Sequence, residues 1–344
     1  MNYVAEINDK LKPTKNSIAI ALDLFAGAGG LGLGFEANGF RTTGFEQESD
    51  YCLTYKHNLN ANCLQVRLNV QTNYPDASII IGGPPCQPFS VGGKQKGLRD
   101  SRDGFPAFIS AVQQVKPELF LFENVRGMMY QNKWYLDEIV NELGSLGYIV
   151  EYKLFNMVNY GIPQNRKRII VVGHKGGFEF PRPKNRKVTS GEALGELAMQ
   201  IPHDAKFLTK SMDEYVARYE KASKCVRPRD LHLDKPSRTL TCRNLAGATG
   251  DMMRIRLVDG RRRRLTVREA ARLQSFPDWF EFTGSETSQF NQIGNAVPPL
   301  FAYYLAASVR DYISNSKSRK SGAEIERLNA SKLRPKQLSL FGVP

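Results

Sequence analysis

The sequence predicts an α/β fold: a doubly wound, mostly parallel sheet covered by helices, with a smaller basic domain attached. Three observations predict it. From Ile18 to Gly173, short apolar runs alternate with longer stretches of helical periodicity, the pattern of repeated strand–helix units. A glycine-rich turn, Gly27-Ala28-Gly29-Gly30-Leu31-Gly32, stands between the first run and the first helical stretch. After Gly173 the rhythm breaks and positive charge accumulates.

In chain order, Ala19 to Phe25, Thr42 to Phe45, Ser78 to Ile81, Glu118 to Phe122 and Arg168 to Val172 read as strands. Leu31 to Asn38, Asp50 to Asn58, Ala107 to Val115 and Trp134 to Leu146 read as helices, the first stopping at Gly39 and the last near Gly147. Gly176-Gly177 and Pro181 to Pro183 mark a boundary near 174, and regular structure is hard to read from there to about Arg264. A helix is expected over Val267 to Gln274, ending before Pro277, and another over Leu300 to Ile313 that packs back on the first domain. The expected division is an N-terminal extension (1–17), a large α/β domain (18–173), a small basic domain (174–288), a return to the large domain (289–314) and a basic mobile tail (315–344).

Composition narrows the function. With 41% hydrophobic and 24% charged residues the chain is an ordinary globular protein. Cys52, Cys63, Cys86, Cys225 and Cys242 are odd in number and form no CxxC pair, which argues against a disulfide framework and a zinc site and suits a reducing cytoplasm. The N-terminus lacks a signal-like apolar core, and no apolar run approaches the ~20 residues of a membrane span. From position 174 to 263, 20 Lys and Arg stand against 11 Asp and Glu, so +9 of the net +14 lies in about a quarter of the chain. Such a segment reads as a footprint for a polyanion, most often nucleic acid.

Two stretches carry chemistry. Gly82-Gly83-Pro84-Pro85-Cys86-Gln87-Pro88-Phe89-Ser90 follows the apolar run Ser78 to Ile81 and puts Cys86 just past a strand's carboxyl end, where open α/β sheets place their sites. The glycines allow a sharp turn and the prolines stiffen it, so the thiol is held as a nucleophile would be. Gly27, Gly29 and Gly32 satisfy GxGxxG, and Glu46 ends the second strand, where a carboxylate accepts ribose hydroxyls. That pattern binds a nucleoside; NAD, FAD and S-adenosylmethionine sites all use it.

The text around these motifs is more specific. DLFAGAGGLGLGF from Asp23, Phe45-Glu46, PPCQPFS from Pro84, Asp100 to Arg102, FENV from Phe122, QNRKR from Gln164, LTVREAARLQSFP from Leu265 and QIGNAVPP from Gln292 resemble, in order, the blocks of the cytosine carbon-5 DNA methyltransferases of bacterial restriction–modification. The resemblance spans about residues 20 to 312. It implies a Rossmann-like, S-adenosylmethionine-dependent enzyme whose basic segment is a target-recognition domain. It implies Cys86 as the nucleophile that adds to carbon 6 of a flipped-out cytosine, Glu123 as the acid on N3 and the amino group, and Arg166 and Arg168 lining the base pocket. Arg168 is expected on the base carbonyl and Arg166 beside the nucleophile.

For the cofactor the resemblance carries over Phe25, Ala26, Gly27, Gly29, Gly30, Glu46, Gly83, Pro85, Asn295 and Ala296. At the adenine end the chain departs from the common pattern, with Asn69 (beside Val70) in place of an acid and Gln47 in place of an apolar cover. Ser90, Lys94, Arg99 and Arg102 fit a loop closing on DNA; Arg238, Thr239, Arg243 and Arg254 are expected recognition residues, and Arg261 to Arg264 phosphate or solvent contacts. The recognition stretch is short, which predicts one short target. The expected setting is a cytoplasmic, nucleoid-associated monomer on double-stranded DNA, without metal or membrane, with a cognate endonuclease acting separately. A tRNA methyltransferase and a catalytically silent DNA-binding regulator are the rival readings; the tRNA branch's Cys-Phe-Thr signature is absent from the sequence.

Overall fold

The structure, a computed structural model, describes residues 2–15, 17–85, 103–222, 229–247 and 249–315. The chain runs α1 (Tyr3–Lys10), β1 (Ala19–Leu24), α2 (Gly30–Glu36), β2 (Phe40–Glu46), α3 (Ser49–Asn58), β3 (Cys63–Gln65) and β4 (Ile79–Gly82). It continues with α4 (Phe105–Val115), β5 (Leu119–Val125), α5 (Lys133–Ser145), β6 (Ile149–Asn156), β7 (Gln164–Asn165) and β8 (Lys167–His174). The basic segment adds α6 (Ser190–Leu194), α7 (Lys210–Ala222), β9 (Ser237–Arg238), α8 (Cys242–Ala246), β10 (Arg254–Arg256) and β11 (Arg262–Arg264), and α9 (Val267–Leu273), α10 (Glu286–Asn295) and α11 (Pro299–Ser314) close the fold.

Among the described residues the main sheet has seven strands in the order β3-β2-β1-β4-β5-β8-β6. β1 pairs in parallel with β2 and β4, β2 with β3, and β4 with β5, whereas β8 runs antiparallel to both β5 and β6. The order reverses between β1 and β4, and the crevice outside their carboxyl ends is where such sheets hold ligands. Ile79, Ile80 and Ile81 of β4 are fully buried. Ile79 and Ile81 join the cluster under α2, α3 and α11, while Ile80 joins Phe105, Phe108 and Leu136 under α4 and α5. Helices therefore cover both faces, and each such isoleucine contributes roughly 1.5–3 kcal/mol of burial.

The expected strands and helices of the first half are present within a few residues. β6, which follows the turn at Gly147, went unread because its burial alternates weakly at the sheet edge. The N-terminal segment is not an appendage: Tyr3, Ile7 and Leu11 are buried, Tyr3 donates its hydroxyl to Arg272 O at 2.9 Å, and Trp279 Nε1 donates to Asn8 O at 3.1 Å. In the basic segment, Leu240, Leu245, Ile255 and Leu265 belong to the same apolar cluster as Ala21 and Ile79, and Leu208, Val216 and Met252 form a small cluster of their own. α9 starts at a capping box in which Thr266 Oγ1 accepts from Glu269 N and Glu269 accepts from Thr266 N.

α2 lies against α11 so closely that glycine is obligatory. A Cβ on Gly34 would stand 2.4 Å from Ala302 C and Tyr303 N. This contact presses the cofactor-side helix onto the returning C-terminal helix.

Candidate active site

The first strand tips define a concavity. Gly83 N donates to Leu24 O at 3.3 Å, and a Cβ on Gly82 would meet that same oxygen at 2.5 Å, so β4 must turn at once. Phe25 and Gly27 both have φ of +56°, and a Cβ on Gly27 or Gly83 would find no atom within 4 Å. A Cβ on Gly104 would lie 2.5 Å from Pro85 Cδ and 2.9 Å from Phe25 Cζ, so Phe25 and Pro85 share one wall. Glu46 is largely buried at the end of β2, where Oε2 accepts from Gly27 N at 2.8 Å and Oε1 from Gln47 N at 2.8 Å and Glu48 N at 3.0 Å. Burial pushes its carboxyl up, and these amides pull it back.

Two of the expected cofactor glycines are also tight packing positions. A Cβ on Gly29 would strike Tyr55 Cδ2 at 2.8 Å and one on Gly30 would strike Val297 O at 2.4 Å, so their absent side chains serve the helix seat. Ala26 is buried beside them and donates its N–H to Phe45 O. Gln47, Asn69 and Val70 are exposed; Asn69 Oδ1 accepts from Gln71 N at 2.8 Å within its own turn. Asn295 receives the Cys242 thiol at 3.0 Å and shares a hydrogen bond with Tyr51, whose phenol burial pushes up to about 12. Ala296 follows as the C-cap of α10. Sequence reasoning missed Tyr51, which no motif marks.

On the other side of β4, Glu123 and Arg168 meet. Arg168 Nε lies 2.9 Å from Glu123 Oε1, with both side chains mostly shielded from solvent, and Nη1 donates to Lys167 O at 2.9 Å. Next to Glu123, Asn124 Nδ2 donates to Pro84 O at 2.9 Å, tying the tip of β5 to the turn that leads to Cys86. Cys86 itself, with Ser90, Lys94, Arg99 and Arg102, lies outside the described residues.

Arg166, two residues before Arg168, is buried. Nη1 donates to Leu240 O at 2.9 Å and Nη2 to Ala296 O at 3.1 Å, with Gly294 O within 3.4 Å of both. Burial, then the neighbouring Arg168 charge, pulls its guanidinium down to about 9, which leaves it charged at neutral pH. It brackets the basic segment to the turn after α10, with the charges of Arg168 and Glu123 both acting on it. Gln164 and Gln274 reinforce it: Gln164 Oε1 accepts from Leu240 N at 2.9 Å, and Gln274 Nε2 donates to Ala296 O at 2.7 Å.

A cleft of about 660 Å³ opens between β8 and the basic segment, lined among others by Arg126, Lys167, Arg168, Arg238 and Thr239. Thr239 Oγ1 donates to Asn165 O at 2.6 Å, and Arg243 is exposed beside it on α8. Arg254, expected to read bases, is fully buried: Nε donates to Asp230 Oδ1 at 2.5 Å and Nη2 to Glu220 Oε1 at 2.9 Å. It is withdrawn from the base readers, because two carboxylates hold it inside. Arg263 is likewise no phosphate contact, being buried in a two-pronged pair with Glu269 at 2.7 and 2.9 Å. Among the described residues no group of three His, Cys, Asp or Glu could hold a metal ion, and no helix is long and apolar enough to cross a membrane.

Comparison with known proteins decides the family. The profile of the C-5 cytosine-specific DNA methylases matches residues 20–311. The chain belongs to this family. The methyltransferase is 57% identical over 315 residues to the Type II methyltransferase M.AplI of Arthrospira platensis, covering 90% of this chain and 91% of that one. It is 35% identical over 327 residues to M1.HphI of Haemophilus parahaemolyticus, covering 84% and 86%. Among solved structures it resembles a methyltransferase of Entamoeba histolytica (TM-score 0.67, 17% identity, covering 87% of this chain and 99% of that one) and the Dnmt2 methyltransferase of S. pombe (TM-score 0.66, 17% identity, 86% and 99%). Those likenesses show the Rossmann-like fold; the family match makes this chain a DNA cytosine carbon-5 methyltransferase.

Proposed function

We propose that this methyltransferase modifies cytosine within one short sequence of double-stranded DNA, through a covalent adduct of Cys86, as the modification enzyme of a Type II system. The observation that carries the reading is the Glu123–Arg168 pair, joined through Asn124 to the Pro84 carbonyl two residues before the thiol. Carbon 5 of cytosine is too weak a nucleophile to be methylated directly. Addition of the Cys86 thiolate to carbon 6 pushes electrons toward carbon 5 and N3, and Glu123 holds N3 and the amino group, offsetting the charge as it forms. Arg168 keeps Glu123 in place through Nε, and its Nη groups, of which Nη1 also donates to Lys167 O, would serve the base carbonyl. Once carbon 5 carries the methyl group, loss of its proton to a base would expel Cys86 as the thiolate. A base stacked in a duplex cannot reach a thiol at a strand tip, so the target leaves the helix.

S-adenosylmethionine supplies the electrophilic methyl group, and the residues present fit it. Gly27 and Gly83 leave open space where side chains would stand, with Phe25 and Pro85 as the adjoining wall. Glu46 has three N–H groups on a carboxylate that offers about four acceptor sites, which leaves one for a ribose hydroxyl. Gln47, Asn69 and Val70 would then edge the adenine from solvent. The relatives named Type II methyltransferases support the modification role. In this reading the enzyme acts as a cytoplasmic monomer and its endonuclease acts separately.

Bisulfite sequencing of a host genome expressing the protein, beside a Cys86→Ser control, tests this. Protected cytosines at one motif, absent in the control, are expected; the same protection in the control would sink the covalent route. A 5-fluorocytosine in that motif should trap a denaturation-resistant, cofactor-dependent complex, because fluorine cannot leave as a proton does.

A further inference from the structure

Asn295 stands where three parts of the chain meet. α10, which it ends, lies so close to the start of α8 that a Cβ on Gly294 would stand 2.5 Å from Cys242 N and 2.7 Å from Thr241 C. That approach brings the Cys242 thiol of the basic segment within 3.0 Å of Asn295 Oδ1, with Asn291 O farther off at 3.6 Å. From the large domain, Tyr51 on α3 shares a hydrogen bond with the same amide. Neither Cys242 nor Tyr51 has a role in the chemistry proposed above.

The protons fix which way the amide faces. Burial holds the Cys242 thiol above its ordinary range, so it keeps its proton at neutral pH and donates to Oδ1. The reverse orientation would set the Nδ2 group against that S–H donor. Nδ2 is therefore left for the Tyr51 oxygen; burial pushes this phenol up to about 12, and the bond from Asn295 pulls it back. A carboxamide has two N–H donors and two acceptor lone pairs. With one of each spent on Tyr51 and Cys242, one N–H and one lone pair remain on an exposed residue. An ammonium beside a carboxylate, as at the amino-acid end of S-adenosylmethionine, matches one acceptor and one donor so disposed. The location agrees. A Cβ on Gly30 would lie 3.2 Å from Ala296 Cβ, so the residue after Asn295 abuts the glycine turn of the concavity, and Tyr51 follows Glu46 by five positions.

We propose that Cys242 is a positioning residue for S-adenosylmethionine, which with Tyr51 holds the Asn295 carboxamide in the orientation that presents its spare N–H and lone pair to the cofactor. The inference rests on the cofactor reading proposed above and adds that the basic segment takes part in holding the methyl donor as well as the DNA.

Calorimetric titration of the whole enzyme with S-adenosylmethionine, in the absence of DNA, reads this directly. Cys242→Ala should weaken binding about three- to tenfold, the worth of one hydrogen bond. Cys242→Ser keeps a donor and should lose less than about twofold. Tyr51→Phe, which removes the oxygen that Nδ2 faces, should behave like the alanine variant. In an Asn295→Ala background, Cys242→Ala should cost nothing more, because the amide it positions is gone. Melting temperature and affinity for duplex DNA should be alike in the alanine and serine variants. An alanine variant that binds as wild type does, a serine variant no better than alanine, or equal losses with and without Asn295 would each overturn the proposal. So would cofactor and DNA affinities that fall together, the mark of a loosened seat between α8 and α10. An Asn295→Ala enzyme with wild-type affinity would remove the amide from the cofactor site, and the proposal with it. A folded wild-type enzyme with no affinity for S-adenosylmethionine would instead refute the cofactor reading itself.

Discussion

Arg168 Nε lies 2.9 Å from Glu123 Oε1 across β5 and β8, where the sheet's parallel run reverses beside the active site. Because Val125 pairs with Arg168 and Glu123 with Ile170, the two side chains meet diagonally on one face. Glu123→Gln keeps the shape and removes the acid, so kcat should fall by about 10²–10⁴ with the fold intact. Arg168→Ala leaves a shielded carboxylate alone and should also cost roughly 3 kcal/mol of stability. Methyl-transfer rates and thermal melts on both variants check this. A melt for Arg168→Ala no lower than that of Glu123→Gln would mean that the pair stabilises nothing.

Arg166 gives a different signature. Arg166→Met removes donors to Leu240, Gly294 and Ala296 while filling the space, leaving buried carbonyls without partners at about 1–3 kcal/mol each. Because it joins the recognition segment to the turn bearing Asn295, both S-adenosylmethionine and DNA should bind at least several-fold more weakly. Calorimetric titration of each ligand reads this out, and a cofactor Kd within twofold of wild type would show that the bracket serves the recognition side alone.

The glycines divide by what faces them. Gly34→Ala forces a methyl group to within 2.4 Å of the α11 backbone and should lower stability by ~1–3 kcal/mol or more, with cofactor affinity following only through folding. Gly27→Ala meets no atom, but its φ of +56° costs about 1–2 kcal/mol and its methyl projects into the concavity. It should weaken S-adenosylmethionine binding far more than it lowers the melting temperature. Reversal of these two patterns would displace the cofactor from this concavity.

Asp23 sets a pH dependence. Burial lifts its carboxyl well above the ordinary range, while the Gly32 N–H and the Tyr55 phenol pull it back down. A carboxyl raised in the folded state adds stability that is complete below its unfolded value of about 4 and is lost as pH rises through the folded value. Asp23→Asn removes this dependence. The melting temperature of the variant minus that of wild type should therefore rise as pH increases from acid toward alkaline conditions. A difference flat with pH would show that the buried carboxyl is not the titrating group.

Most of the first domain was legible because its strands are buried on both faces and its helices end at glycines such as Gly39 and Gly147. The reversed direction of β8 was not, since an apolar run carries no sign of the direction in which it pairs. Motif order marked Glu123, Glu46 and Pro85, but spacing could not divide GAGGLGLG into Gly27, which faces open space, and Gly29 and Gly30, which seat the helix. The same holds for charge. Arg254 and Arg238 look alike as letters, and only the carboxylates brought in from Glu220 and Asp230 make the first structural. The bracketing contacts of Arg166, which the sequence marked only as a pocket residue, were hidden for the same reason, because its partners are backbone atoms distant in sequence.

The Arg166 bracket grips Leu240 by its carbonyl oxygen, an atom that every amino acid has. On the proposed reading of positions 238 and 243 as recognition residues, they can change without unseating the enzymatic half, provided the path of the chain through 239–241 is kept. The exchangeable part is the polar chain on either side of that path, since Leu240, Leu245 and Ile255 pack into the core shared with the main sheet. A chimera carrying a relative's stretch on either side of Thr239-Leu240-Thr241 should keep its turnover and change the motif it protects, which sequencing of the modified host genome would read directly.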